Sequence, residues 1–249
     1  MHLHFKEFFY NDSLPCVLRN VFLYDIRSCF PRILSKFGIY VPESDNKMDR
    51  MVFIGNLFKT NKQLLNLCLD STNQIINNFI AEHEIDYDEI IAIERDGLMI
   101  KKFIPKLSGY DIEPELKEKY DLVIRHYSKR NVFLMIKNNK VILKGVPHKT
   151  LGIEDFMSSY FQNVNDIDDR FCLKMLNKMR SEYFKTNNWK LFAIPNNGKF
   201  VFKLEGGRDV AIEDPENSPI DLGTLNYNRY FYFKEHIEGF VQSLINDIL

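Results

Sequence analysis

Cysteine is scarce in this chain, and the four residues present (Cys16, Cys29, Cys68 and Cys172) stand far apart without a CxxC pair. That spacing argues against a zinc ribbon and against a disulfide framework, and for a reducing compartment. No run of 18 apolar residues occurs, and the opening MHLHFKEFFYND has neither the apolar core of a signal peptide nor a basic amphipathic targeting pattern. The expectation is a cytoplasmic protein with no membrane span. Basic excess is missing too: 33 Lys and Arg face 34 Asp and Glu, for a formal net charge of −1 and a pI near 6.6. Any nucleic-acid surface must therefore be a local patch. No internal repeat or low-complexity segment interrupts the sequence.

The sequence does have apolar mass. With 249 residues, 45% of them hydrophobic, it can bury one large core or two modest ones. VFLYDI (21–26) reads as a buried strand, and SCFPRILSKFG (28–38) reads as a short helix stopped by Gly38. VPESDNKMDR (41–50) is polar and turn-rich, which predicts a loop. Leu65, Cys68, Thr72, Ile75, Ile76, Phe79 and Ile80 recur at helical spacing between Thr60 and His83, behind a Thr60/Gln63 capping box. In YDEIIAIERDGLMIKKFI (87–104) two apolar runs flank Glu94-Arg95-Asp96-Gly97, the pattern of a tight β-hairpin. RNVFLMIK (130–137) and KVILKGV (140–146), joined by Asn138-Asn139, predict a second hairpin.

After Pro147 the character changes to amphipathic helices over 153–164 and 168–184. A small β-excursion over 191–213 turns at Gly206-Gly207, a Pro-containing loop covers 215–223, and a long helix covers 225–249. The fold class expected is α+β, an antiparallel sheet backed by helices followed by a mainly helical domain, with the boundary near 150.

Two carboxylates are placed for chemistry. Asp25 ends a predicted strand and Asp96 tips a predicted hairpin, so neighbouring strands would bring both to one sheet edge. Converging carboxylates of this kind hold the divalent metals of nucleotidyl transfer, and Mg²⁺ suits them because it keeps water and phosphate oxygens as its other ligands. Read locally, Asp25 caps the following helix and Asp96-Gly97 is turn chemistry.

The order of motifs adds to this. YDIRSCFPRIL (24–34) resembles motif A of the family B (alpha-like) DNA polymerases, DxxSLYPSII, with Asp25, Ser28, Phe30, Pro31 and Ile33 on matching positions. IAIERDGLMI (91–100) resembles motif C, YxDTDS, with Asp96 on its second aspartate and Glu94 on its first. SKRNVFLMIKNNKVILKGVPHK (128–149) is similar to the KKRY and KG landmarks, here Lys129-Arg130 and Lys144-Gly145. PIDLGTLNYNRYFYFKEHIEGFVQSLI (219–245) is similar to the end of that family's thumb. The resemblance covers residues 20–150 well and 150–249 loosely.

It implies a palm-like domain over 1–150 with a shortened fingers region at about 41–60, and a thumb-like domain over 151–249. It implies Asp25, Asp96 and Glu94 as catalytic carboxylates, and two Mg²⁺ (or Mn²⁺) ions held by Asp25, Asp96 and the Ile26 carbonyl. Amides of Ser28, Cys29 and Phe30 would take the triphosphate, the Phe30 ring would act as a steric gate, and Lys129, Arg130, Lys144 and Lys149 would track the primer-template duplex by its phosphates. The family's fingers lysine has no match, since Val52 stands at its position, and Arg50, Lys47, Lys59 or Lys62 is left to replace it. Glu94 replaces an aspartate, Gly97 a serine, and Arg27 and Arg32 stand where neutral residues are usual. Too few residues precede motif A for the family's proofreading exonuclease, and Asp111-Ile112-Glu113 is a chance echo of its DxE.

The six histidines show no ligand spacing beyond His2 and His4, and Trp189 and the aromatics at 227–233 suit packing better than base stacking. Two functions remain open, beside a third reading in which the chain is an unrelated α+β protein whose short motifs match by accident. One is a reduced or split polymerase, viral and working in the host cytoplasm, which uses deoxynucleoside triphosphates on primer-template DNA with a partner subunit supplying fingers or exonuclease. The other is an inactive polymerase-like module that binds nucleic acid or scaffolds a replication or transcription complex.

Overall fold

The computed structural model describes residues 5, 8–42, 47–105, 111–126, 131–145, 152–162, 167–183, 185, 194–196, 199–203, 209–212 and 227–249. It is α+β. Seven strands form an antiparallel sheet in the order β1-β3-β4-β2-β5-β6-β7, and three more form a small sheet in the order β10-β9-β8. The chain divides into two compact units, 1–14 with 20–119, and 15–19 with 120–249. This division lies ahead of the change of character at 150. The reason is that the second hairpin shares its apolar core with the helices that follow it.

In the first unit, β1 (Phe8–Tyr10) pairs with β3 (Ile90–Glu94), β3 with β4 (Gly97–Ile100), and β4 with the second half of β2 (Val17–Ile26). The strand runs are apolar because helices cover one face of them: Ile90, Ile93, Leu98 and Ile100 are fully buried in one core with the helices. α1 (Cys29–Lys36), α2 (Lys47–Thr60) and α3 (Lys62–Glu82) supply that cover. α3 buries Leu64, Cys68, Thr72, Ile76 and Ile80, a stripe at four-residue spacing.

Two expectations are corrected in this unit. Residues 47–50, expected in a loop, form the first turn of α2, whose Asp49 sits favourably at the N-terminal end of the dipole. The capping box does not form either. Asn61 is the N-cap of α3 and accepts from the Leu64 amide at 3.0 Å, while the Thr60 hydroxyl donates back to the Asn56 and Leu57 carbonyls of α2. Thr60 thus ends one helix instead of opening the next, and Asn is as good an N-cap as Thr.

β5 (Pro114–His126) is a strand the sequence did not announce. Its first half, Pro114–Lys119, belongs to the first unit, and its second half lies in the other. The Glu, Leu and Lys residues of PELKEKY favour helix by propensity. Pro114 stands at the first strand position, where its missing N–H is tolerated.

In the second unit β6 (Val132–Lys137) and β7 (Lys140–Lys144) form the expected hairpin, with Asn138 and Asn139 both left-handed at φ 50° and 61°. Two consecutive positive-φ residues suit a hairpin turn whose twist matches its strands. α4 (Ile153–Ser158) is shorter than the expected 153–164, because its end tightens into i→i−3 bonds, the Tyr160 amide on the Met157 carbonyl at 3.1 Å and the Phe161 amide on the Ser158 carbonyl at 3.2 Å. α5 (Asp169–Tyr183) and α6 (Tyr227–Ile248) complete the helices. Ile237, Phe240, Val241, Leu244 and Ile245 give α6 its buried face. β8 (Ile194–Asn196), β9 (Lys199–Lys203) and β10 (Asp209–Ile212) answer to the β-excursion, so the stretch after 150 mixes helix with strand. The Gly206-Gly207 turn and the 215–223 loop lie outside the described residues. No helix among the described residues is long and apolar enough to cross a membrane.

Candidate active site

The two aspartates meet at one edge of the first unit's sheet. Asp25 stands opposite Gly97 in the β2–β4 register, and the Ile26 amide donates to the Asp96 carbonyl at 2.9 Å, which pins the hairpin tip to the end of β2. Two non-glycine residues beside them hold left-handed backbone: Arg95 at φ 56° in the hairpin turn and Ser28 at φ 51° in the turn after Asp25. Such conformations cost about 1–2 kcal/mol each for a residue with a Cβ and persist where the surroundings enforce them.

Charge at this edge is concentrated. Burial pushes the Asp96 carboxyl above its ordinary value, and the Asp25 carboxylate adds to the rise by repulsion, while Lys117 and Arg95 oppose it. Lys117, on β5, donates from Nζ to Asp25 Oδ2 at 2.8 Å, and that hydrogen bond raises the ammonium's own pKa. The sequence reading missed Lys117 because it missed the strand that carries it. Charges at Glu115, Lys117, Lys119 and Asp121 fall at every second position, but Glu118 interrupts the apolar side of the alternation.

Other residues implied by the resemblance fall as follows. Glu94 ends β3 and accepts from the Tyr10 hydroxyl at 3.1 Å. It does not complete a trio with the aspartates: among the described residues, no three His, Cys, Asp or Glu side chains group closely enough to hold a metal. Ile26 is a buried strand end. Ser28 precedes α1 and makes no side-chain cap. The Arg32 amide closes the first turn on the Ser28 carbonyl at 3.0 Å, so the Cys29 and Phe30 amides have no acceptor within the helix, and Pro31 has no N–H.

The Cys29 thiol turns into the core, 3.3 Å from the Thr72 hydroxyl, and burial drives its pKa up to about 12. Only its backbone can serve a ligand. Phe30 packs edge-on against Phe58 of α2 with ring centroids 5.4 Å apart. Arg50 lies half-buried on α2. In the second unit Lys144 ends β7, its Nζ 6.0 Å from the centroid of the Phe133 ring. Lys129, Arg130 and Lys149 lie outside the described residues.

The donor set suits a hard divalent cation. The Asp25 carboxylate lies close enough to raise the cost of ionising Asp96, and Mg²⁺ takes one or two protein carboxylates with water and phosphate as the rest. Comparison of the sequence with models of known families and with curated proteins finds no match in either.

Proposed function

We propose that the chain is the palm-bearing part of a reduced or split polymerase similar to family B, catalysing metal-dependent nucleotidyl transfer from deoxynucleoside triphosphates to a primer-template. The observation carrying this reading is the meeting of Asp25 and Asp96 at the ends of neighbouring strands. Motifs far apart in sequence converge there, as a two-metal reaction requires.

Asp25 and Asp96, with the Ile26 carbonyl, would hold two Mg²⁺ or Mn²⁺ ions, whose contribution when bound is to activate the primer hydroxyl and neutralise the triphosphate. The chain's own residues orient the reactants. The Cys29 and Phe30 amides at the start of α1 offer donors to phosphate oxygens, and Arg50 offers a charge from the helix in the fingers position. Lys129, Arg130, Lys144 and Lys149 bind duplex phosphates without reading sequence. The setting is cytoplasmic, the host cytoplasm for a viral chain, with a partner subunit supplying fingers or exonuclease.

A second reading is an inactive palm-like module that scaffolds nucleic acid in a larger assembly. The Lys117–Asp25 pair favours it, because an internal cation already neutralises one carboxylate. Extension of a labelled primer-template with Mg²⁺ or Mn²⁺ separates the two. The first reading expects extension by the wild-type chain and none by Asp25→Asn or Asp96→Asn. Duplex binding without extension in all three proteins leaves only the second.

A further inference from the structure

We propose that Lys117 is a built-in cation of the Asp25/Asp96 site, occupying part of the room for a second divalent ion, so that the resting chain binds a single ion there. This rests on the metal-site reading above and deepens it. Lys117 reaches Asp25 from a third strand, β5, with its Nζ 2.8 Å from Asp25 Oδ2. Asp96 is held beside that strand end, its backbone carbonyl accepting from the Ile26 amide at 2.9 Å. The ammonium therefore occupies an Asp25 oxygen that a second divalent ion would need.

No third His, Cys, Asp or Glu side chain joins the pair among the described residues, and the one direct ion pair that the two carboxylates make among those residues is that of Asp25 with Lys117. The lysine is not locked in place: its side chain is 54% exposed, and a four-carbon stem lets the ammonium swing away. Lys117 thus acts as a positioning residue. It holds Asp25 while the site is at rest and yields when a triphosphate brings its own cation.

The test is Mn²⁺ binding to the full chain, read as the loss of the free-ion electron paramagnetic resonance signal, for wild type, Lys117→Gln, Lys117→Arg and Asp25→Asn/Asp96→Asn. Wild type should bind one Mn²⁺ that the double aspartate variant loses. Lys117→Gln should bind a second ion or bind the first at least about tenfold more tightly, the repulsion of a divalent ion by an ammonium a few ångströms away even at the dielectric constant of water. Lys117→Arg should keep the wild-type stoichiometry. Unchanged binding in Lys117→Gln overturns the inference and leaves the metal site standing. Binding that survives loss of both aspartates, or no binding in any variant, overturns the metal-site reading and the inference together. Lys117 is a surface side chain, so its replacement by Gln leaves no buried group unpaired.

Discussion

Two glycines share a backbone conformation but not a setting, and the pair turns that contrast into a measurement. Gly38 follows α1 at φ 72° and Gly145 follows β7 at φ 78°. An alanine Cβ at Gly38 meets nothing within 4 Å, whereas one at Gly145 would stand 2.0 Å from the Asn131 carbonyl oxygen and 3.2 Å from the Val132 Cα. Left-handed backbone costs an alanine about 1–2 kcal/mol at either site. At Gly145 the neighbour is backbone, so β6 and β7 must part, and overpacking of this kind adds about 1–3 kcal/mol. Gly38→Ala should therefore lose about 1–2 kcal/mol and Gly145→Ala about 2–5 kcal/mol. The two residues belong to different compact units, so hydrogen exchange of the β6 and β7 amides should accompany denaturant titration, reading the second unit by itself. Faster exchange of those amides is expected in Gly145→Ala alone. Equal losses in the two variants, or a loss under about 1 kcal/mol at Gly145, would refute the argument from the close carbonyl.

Two further outcomes follow from polar groups partly or wholly withdrawn from water. Asp96 has a folded pKa raised above its ordinary 3.8, chiefly by burial, so its ionisation opposes folding as pH rises through the raised value, and below 3.8 the group is neutral in both states. Asp96→Asn should then be more stable than wild type at pH 7, with the gap closing as pH falls toward 3.8, and a gap that stays constant in melting curves across that range would count against the burial. The Tyr24 hydroxyl accepts from the Ile104 amide at 2.6 Å and donates to the Ile104 carbonyl at 3.1 Å in a buried setting. Tyr24→Phe strands both groups and should cost about 1–3 kcal/mol in chemical denaturation, whereas a neutral result would mean that water reaches Ile104.

Much of the fold was legible because its elements bury one face at a regular spacing. The hairpins at 90–100 and 132–144 declared themselves by apolar runs around short polar turns, and α3 and α6 by stripes at three- and four-residue spacing. The misses have physical causes. β5 carries charge through its first half and uses residues with helical propensity, so its strand character comes from pairing with neighbours distant in sequence. α2 exposes Met48, Met51 and Val52 while burying Ile54 and Phe58, so its apolar residues are spread around the helix and no clear stripe marks it. The α3 cap was misassigned by one residue because Thr60 and Asn61 can both cap, and only the hydrogen bond to Leu64 distinguishes them.

The carboxylate pair was legible for a different reason: each aspartate sits at a local signal, a strand end or a turn tip, and their meeting needed only that β2 and β4 be neighbours. Lys117 was not legible by that route. Its role depends on which strand lies on the other side of β2, and nothing in the local pattern of residues 114–120 names that neighbour. The consequence reaches the chemistry. Two carboxylates alone describe a site that demands cations, whereas two carboxylates with an ammonium 2.8 Å from one of them describe a site already partly neutralised. On the metal-site reading proposed above, metal entry would be set by the displacement of one exposed side chain as well as by the carboxylates. A site of this kind would be selective for a ligand that brings cation and phosphate together: the cation replaces Lys117 at Asp25 while the phosphate offers the released ammonium a new partner.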